Sequence, residues 1–275
     1  MPRWNLDSDI HWDRFDRSKL DPEILKLTKA AALTEYNAAT YTAYLDKVFR
    51  DDPEFREFIH QWQLEEEQHG KALGRYAQLA DPDFDFEATF KRFTEGYSIP
   101  IDVDTSVRGS RVGEMVSRCV VETGTSSYYS AIRDSTEEPV LREICGHIAS
   151  DEFRHYKLFL DTMRKYQPIE SISMIERIRV AIGRMRETND DELAFAFYCA
   201  NEPPGTPYDR ERASAAYGSR AYGIYQVHHV ERGVGMLMKV AGLKPQGWIG
   251  RQVTRFAWWK LQGKAYRLGD MAEAS

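Results

Sequence analysis

Cysteine is scarce in this sequence, which has only three such residues among 275. Cys119, Cys145 and Cys199 lie far apart, and none of them belongs to a CxxC pair. An odd number of isolated cysteines argues against a disulfide framework, and the missing CxxC pairs argue against a thiolate site for zinc or iron. The cysteine content therefore favours a protein of a reducing compartment.

Long apolar runs are missing as well. No stretch approaches the ~18 consecutive apolar residues that a membrane-spanning helix requires. Residues 1–19 are polar and lack the apolar centre of a signal peptide. We therefore expect a cytoplasmic protein and leave peripheral attachment to a membrane open.

An overall excess of positive charge is also absent. Lysine and arginine number 37 against 43 aspartates and glutamates, which gives a formal net charge of −6. This balance argues against a protein built to coat nucleic acid, so we expect no nucleic-acid partner. No G-x-G-x-x-G motif follows a strand pattern, so no site for NAD or flavin is indicated.

Strand patterns of useful length are missing, whereas helix signals are frequent. Proline follows an acid at Asp21-Pro22, Asp52-Pro53 and Glu138-Pro139, where the first turn of a helix tolerates it. The sequence predicts an all-α protein with four long helices near 21–50, 53–80, 110–133 and 139–166. Residues 80–106 form a long crossover connection, and further helices are expected near 169–187, 191–200, 209–240 and 246–268. We expect residues 1–166 to form an N-terminal arm and a four-helix bundle, and 167–275 to add helices packed on it.

The four long helices carry acids inside apolar seams. Reading each helix at alternating steps of four and three residues gives one row per helix, and a glutamate interrupts the apolar side chains of each row. The rows run from Ile24 to Phe49, from Phe55 to Tyr76, from Val112 to Tyr129 and from Leu141 to Thr162. The first and third rows contain one glutamate each, and the second and fourth contain a Glu-x-x-His pair. The separation between the single glutamate and the glutamate of the pair is 31 residues in the first half and 30 in the second. The interrupting residues are Glu35, Glu66, His69, Glu122, Glu152 and His155.

These six side chains are predicted to lie at one level of the bundle. About 16 residues lead from Glu35 to the turn near residue 51 and about 15 from there to Glu66, so antiparallel helices rising ~1.5 Å per residue bring them level. Four buried carboxylates without counter-charge would cost several kcal/mol each. Two divalent ions would balance them, and carboxylate with imidazole suits iron or manganese.

A third Glu-x-x-His pair, Glu57 with His60, lies nine residues earlier and about 180° around the helix, so we expect it to be solvated.

The segments LEEEQHGKALGRYAQL and EEPVLREICGHIASDEFRHYKLF, which frame the two pairs, resemble the soluble acyl-acyl-carrier-protein desaturases. Weaker similarity runs from about residue 20 to residue 166. The resemblance implies a ferritin-like four-helix bundle with a crossover connection and additional C-terminal helices, typical of the di-iron carboxylate superfamily. It implies that two iron ions bind to Glu35, Glu66, His69, Glu122, Glu152 and His155, although manganese or a mixed pair fits the same ligand types.

The same resemblance assigns roles to two further residues. Thr125 is expected beside the oxygen-binding face, and Asp151 is expected to hold a ligand histidine. The second role has independent support, because a ligating imidazole usually donates its other N–H to a carboxylate.

The activity implied by the resemblance is O2-dependent oxidation of an acyl or similar hydrophobic chain, with desaturation favoured over hydroxylation. Electrons are expected from an external donor such as ferredoxin, and the resemblance implies a homodimer. The alternative is a ferritin-like protein that binds or oxidises iron without an organic substrate. A metal-free helical scaffold is a third hypothesis, but it leaves four acids in apolar seams unexplained.

Positive charge is concentrated in segment 232–268, which contains eight basic residues and no acid. The interleaved apolar side chains include Trp248, Ile249, Phe256, Trp258, Trp259 and Tyr266. Three interpretations are open: the aromatics pack the segment onto the bundle, the segment docks an acyl carrier protein, or it lies on a membrane surface.

The adjacent His228 and His229 should point about 100° apart on a helix, so we assign them no metal site.

Overall fold

The computed structural model describes residues 2–99, 101–187 and 191–273, except for the side chains of 191 and 270–273. Within these ranges the chain forms eleven α-helices and no β-strand. The helices are α1 (Pro22–Tyr36), α2 (Ala38–Val48), α3 (Pro53–Ala80), α4 (Phe86–Gly96), α5 (Arg111–Ser135), α6 (Pro139–Tyr166), α7 (Met174–Glu187), α8 (Asp191–Asn201), α9 (Arg210–Gly223), α10 (Val227–Ala241) and α11 (Trp248–Glu273). The all-α, ferritin-like helical bundle is confirmed.

The proline-marked helix starts are confirmed in detail. Asp21 and Asp52 accept hydrogen bonds from backbone N–H groups in the first turns of α1 and α3, and Glu138 does the same for α6. Each of these helices has proline at its first position, where no intrahelical donor is lost. The predicted bounds of 53–80 and 139–166 therefore agree with α3 and α6.

The predicted seams form the core of the bundle. Every seam residue of the four rows is buried except Thr162, which is half-buried near the end of α6. The apolar members join two buried clusters, one on each side of the level at which the acids and histidines lie. The heptad-like spacing therefore identified the buried face of each bundle helix.

The first predicted helix, 21–50, is wrong in one respect, because it is two helices that meet at Asn37. The Asn37 backbone departs from helical geometry, and its side-chain Oδ1 accepts a hydrogen bond from the Thr40 hydroxyl at 2.9 Å. Asparagine commonly bonds locally in this way and so competes with the regular helix. The chain nevertheless keeps its direction, and residues of α2 stay in the predicted seam.

Two other expectations also need correction. The predicted helix 209–240 is interrupted between Gly223 and Val227, where Gln226 begins a new helix. The crossover connection contains a helix of its own, α4, whose Phe86 and Phe93 are buried in the first cluster. Asp85 caps α4 by accepting the Ala88 N–H at 2.9 Å.

The helices after residue 166 pack on the bundle. α8 contacts α1, α7 and α10 contact α5, and α11 contacts α9 and α10. Phe197 of α8 and Met236 of α10 belong to the two buried clusters. The division of the chain at residue 166 stays a prediction. None of the helices in the described ranges is both long and apolar enough to cross a bilayer.

Candidate metal centre

The six predicted ligands meet at one level between α1, α3, α5 and α6. Their carboxylate oxygens and imidazole nitrogens form two groups, and within each group the atoms lie within 4.8 Å of one another. One group is Glu35, Glu66, His69 and Glu152, and the other is Glu66, Glu122, Glu152 and His155. Glu66 and Glu152 are common to both groups. The two groups could hold two metal ions, since they share two carboxylates and each has one further glutamate and one histidine.

Both histidines direct Nδ1 at the shared carboxylates. His69 Nδ1 lies 3.2 Å from Glu152 Oε1, and His155 Nδ1 lies 3.0 Å from Glu66 Oε1. These four atoms are buried, and no hydrogen-bond partner for them lies among the described residues. Buried polar atoms rarely stay unsatisfied, so a group that accepts nitrogen and oxygen lone pairs fits between them. A pair of divalent cations meets that requirement.

The other nitrogen of each imidazole is anchored to an acid. His69 Nε2 lies 3.2 Å from Asp151 Oδ2, and His155 Nε2 lies 2.7 Å from Glu65 Oε2. The Arg154 guanidinium joins the two acids through Nη2, 2.8 Å from Asp151 Oδ1 and 2.7 Å from Glu65 Oε2. The structure thus places Asp151 where the sequence predicted it.

Glu65 is a functional candidate that the sequence analysis missed. A signal was available, because an acid stands directly before each glutamate of the two Glu-x-x-His pairs: Glu65 before Glu66, and Asp151 before Glu152. Each of these acids contacts the histidine of the opposite helix. The repeated motif is therefore acid-Glu-x-x-His rather than Glu-x-x-His alone.

Burial and mutual charge shift the pKa values of the clustered carboxyl and imidazole groups. Burial raises the pKa of Glu122 to about 8 and the pKa of Glu66 well above its ordinary value, and the charge of Glu152 adds to both effects. Burial opposes ionisation of Glu152 too, but its contact with His69 and the charge of His155 lower its pKa to about 2. Burial lowers the pKa of both histidines, yet the surrounding carboxylates outweigh it and hold these values well above the ordinary one. Without cations, protons must balance the cluster.

Two hydroxyl groups contact the carboxylates. Thr125, which is half-buried on α5, donates a hydrogen bond to Glu152 Oε2. Tyr129, two turns beyond Glu122, donates to Glu35 Oε1 at 2.6 Å. Thr125 therefore lies beside the candidate centre, and its role at an oxygen-binding face stays a prediction. Tyr129 was predicted only as a seam residue, because a tyrosine in an apolar row does not show which acid its hydroxyl will reach.

The N-terminal arm covers one side of the centre. Trp4 Nε1 donates to Asp151 Oδ2 at 2.8 Å, and the Trp4 ring stacks on His147 with centroids 5.1 Å apart. Gln68 Nε2 donates to the Trp4 carbonyl at 2.9 Å, which fixes the arm to α3. Sequence reasoning did not identify Trp4, since nothing local to residues 1–19 shows that the arm folds back on Asp151.

A family model described as fatty acid desaturase matches residues 21–186. The chain belongs to this family. The match begins where the resemblance was expected to begin and continues past residue 166 through most of α7, so it contains all six predicted ligands. Helices α8 to α11 lie outside it. We found no curated protein that matches the chain.

Membership of the fatty acid desaturase family identifies the chain as an oxidoreductase by class. It also agrees with the buried groups of carboxylate and histidine, which could bind metal.

The extra Glu-x-x-His pair behaves as predicted: Glu57 and His60 are exposed, and His60 Nε2 contacts Asp46 Oδ2 at 3.1 Å. The motif alone therefore does not make a metal centre.

The expectation that His228 and His229 point apart is wrong. Their Nε2 atoms lie 3.3 and 3.0 Å from the same oxygen, Oδ2 of Asp134, because the two side chains turn towards each other and their ring centroids are 3.9 Å apart. His229 Nδ1 accepts the Gln226 backbone N–H at 3.0 Å, so a neutral His229 carries its proton on Nε2 and donates it to Asp134. Both ring nitrogens of His229 are thus in use, and the cluster fastens α10 to α5.

Proposed function

We propose that the chain is an O2-dependent di-iron oxidoreductase that acts on an acyl or similar hydrophobic chain, in the manner of an acyl-carrier-protein desaturase. One observation carries the proposal. Two imidazoles direct Nδ1 at a shared set of four carboxylates, and each Nε2 is held by an acid, inside the segment that matches the fatty acid desaturase family. An iron-binding role explains why such costly groups are buried together.

The chain's own residues position the metal. Two iron ions would be held by Glu35, His69, Glu122 and His155 together with Glu66 and Glu152, which belong to both groups of ligand atoms. When bound, the irons supply the oxidising power that removal of hydrogen from an unactivated C–H bond needs. Asp151 and Glu65 accept hydrogen bonds from the Nε2–H groups of His69 and His155. The proton of each imidazole therefore stays on Nε2, and the Nδ1 lone pair is free to bind metal.

Thr125 and the buried surroundings have separate tasks. The Thr125 hydroxyl holds a proton at Oγ1 and presents it to Glu152, beside the centre. Both histidines are fully buried, and the glutamates are nearly so, which keeps bulk water from the reaction. We propose that electrons come from an external donor such as ferredoxin and that the chain acts as a homodimer.

A single assay tests the proposed function. The iron-loaded chain is reduced, mixed with O2, an electron donor and a set of acyl carrier proteins, and the carrier masses are read. Loss of two mass units indicates desaturation, and a gain of sixteen indicates hydroxylation. No change with any acyl chain, together with continued oxidation of added ferrous iron, would favour the ferritin-like alternative and overturn an acyl substrate.

Matched variants connect the assay with the centre. His155→Ala should abolish both iron retention and product, because it removes one of the two imidazole ligands. His60→Ala, in the exposed third pair, should retain iron and activity. Equal loss in both variants would show that the measured activity does not depend on the centre.

A further inference from the structure

We propose that α11 is a membrane-docking helix that lies flat on an anionic lipid surface. The proposal is independent of the metal centre and of the proposed function. It starts from a row of large apolar side chains that face solvent on this helix: Trp248, Ile249, Val253, Phe256, Trp259 and Tyr266. Their exposed fractions run from 41% at Val253 to 73% at Tyr266.

The exposed apolar side chains lie on one side of the helix. At 100° per residue they occupy an arc of about 140°, and from Trp248 to Tyr266 the helix is about 27 Å long. The Phe256 and Trp259 rings are neighbours, with centroids 6.0 Å apart. Large apolar side chains gathered in this way on a protein surface mark an interaction site rather than scattered exposure.

The opposite face of α11 holds the helix on the protein. Gly250 is buried against the Pro245 carbonyl, and the side chain of Leu268 reaches Gly218 of α9. Lys264 Nζ donates to the Tyr222 hydroxyl at 2.9 Å. Because these contacts use the inner face, the apolar row cannot turn inwards without undoing the packing on α9 and α10.

Basic residues lie beside and among the exposed apolar side chains. By the same helical angles, Arg251 and Arg255 lie outside one edge of the arc, whereas Lys260 and Arg267 lie inside it, towards the other edge. The Lys260 ammonium stands 5.3 Å from the Trp259 ring centroid. No acid occurs anywhere from 232 to 268, although the whole chain has a net charge of −6. Exposed aromatic side chains with cations close to them and no acids are typical of helices that bind in the interface of anionic membranes.

Charge and shape favour a lipid surface over the other possible occupants. A two-fold contact between two copies would bring the same basic residues together, and like charges oppose it. An acidic carrier protein would match the basic residues but would leave the long aromatic row against a charged surface. A bilayer interface satisfies both, since headgroups meet the cations and the acyl region receives the aromatic rings.

The test is flotation of the full chain with lipid vesicles. Vesicles of phosphatidylcholine containing phosphatidylglycerol should carry the protein, and pure phosphatidylcholine should carry much less. Replacing two aromatics, Phe256→Ser with Trp259→Ser, should weaken binding about tenfold or more. Arg251→Gln with Arg255→Gln should weaken binding to anionic vesicles and reduce its dependence on salt.

A control variant removes exposed apolar side chains elsewhere. Leu64→Ser with Val107→Ser changes residues that are 50% and 65% exposed and lie outside α11, so vesicle binding should be retained. The proposal is overturned if the unaltered chain does not float with anionic vesicles, or if the α11 variants float as well as it does. It is also overturned if no form of the protein binds vesicles and the α11 changes instead abolish dimerisation or binding to a soluble acyl carrier protein.

Discussion

At the scale of single residues, the histidine partners matter as much as the predicted ligands. Glu65 and Asp151 are both buried acids, and each holds the Nε2 side of one imidazole. An imidazole anchored in this way keeps one tautomer and one ring orientation. Arg154 joins both acids, so the two halves of the centre share one positively charged group outside the ligand set.

The first prediction concerns these two acids. Glu65→Gln and Asp151→Asn should each reduce metal affinity by about 10- to 100-fold, because the imidazole loses the carboxylate that orients it. Affinity is measured by competition with a chelator, with circular dichroism to check the fold. Glu67→Gln is the matched control, since Glu67 also neighbours Glu66 but bonds Gln63 on its own helix at 2.7 Å. Equal losses at 65 and 67 would contradict an orienting role.

At the scale of helices, the approach of α1 to α3 positions two of the predicted ligands. Gly70 follows His69, and Tyr36 follows Glu35. A Cβ built on Gly70 would lie 2.6 Å from both the Cβ and the backbone nitrogen of Tyr36. Only glycine allows the helices to pass this closely at the level of the centre.

The second prediction follows from that contact. Gly70→Ala should cost about 1–3 kcal/mol of stability, because backbone must move to admit the methyl group, and it should also weaken metal binding. Urea unfolding with and without metal measures both effects. Gly146→Ala on α6 is the control, because its nearest neighbour is the Arg133 Cδ at 3.8 Å. That change should be neutral or stabilise by up to about 1 kcal/mol. Similar destabilisation by both changes would mean that close approach is not the cause.

The start of α10 gives a third prediction, on pH. Burial lowers the pKa of His229, and the hydrogen bond to Asp134 only partly offsets this. The unfolded chain therefore takes up a proton first as the pH falls through about 6.5, and the folded state loses stability below that pH. His229→Gln keeps an acceptor for the Gln226 N–H but cannot titrate, so the loss between pH 7 and 5.5 should become smaller.

The comparison is made on metal-loaded protein, by urea unfolding at several pH values. His228→Gln is the control, because His228 is exposed and does not cap the helix. If the His228 variant shows the same reduction as the His229 variant, the buried ring is not the source of the pH dependence.

At the scale of the whole molecule, a layer of charge crosses the middle of the bundle. Apolar clusters lie on both sides of it, and its four glutamates are each less than a tenth exposed. Removing the counter-ions from such a layer leaves charges that only protons and the histidines can balance. Metal binding is therefore expected to be coupled to folding.

The fourth prediction is that metal stabilises the chain with a stoichiometry of two. Anaerobic addition of ferrous iron to chelator-treated protein should raise the melting temperature, and at a free concentration 100 times the dissociation constant the gain is about 2.7 kcal/mol per site. Manganese tested in parallel shows which ion the centre prefers. Saturation at one ion per chain, or no shift, would contradict a two-metal centre.

The level and the members of the candidate centre follow from local properties of the sequence. Seam periodicity, helix starts and turn spacing are local properties, and they placed Glu35, Glu66, Glu122 and Glu152 on the buried faces that the structure shows. The same local signals gave the bounds of α3 and α6. They also separated the exposed pair at Glu57 from the buried ones, since nine residues make two and a half turns and so lead to the opposite side of the helix.

Contacts between distant segments of the chain became visible only in the folded protein. Trp4 reaches Asp151 across 147 residues, and Glu65 reaches His155 across 90. The break at Asn37 and the meeting of His228 with Asp134 were likewise invisible, because periodicity assumes an uninterrupted helix. The exposure of α11 depends on which of its faces α9 and α10 cover. A repeating pattern tells which residues share a side of one helix, but the neighbour that the side meets is set by packing.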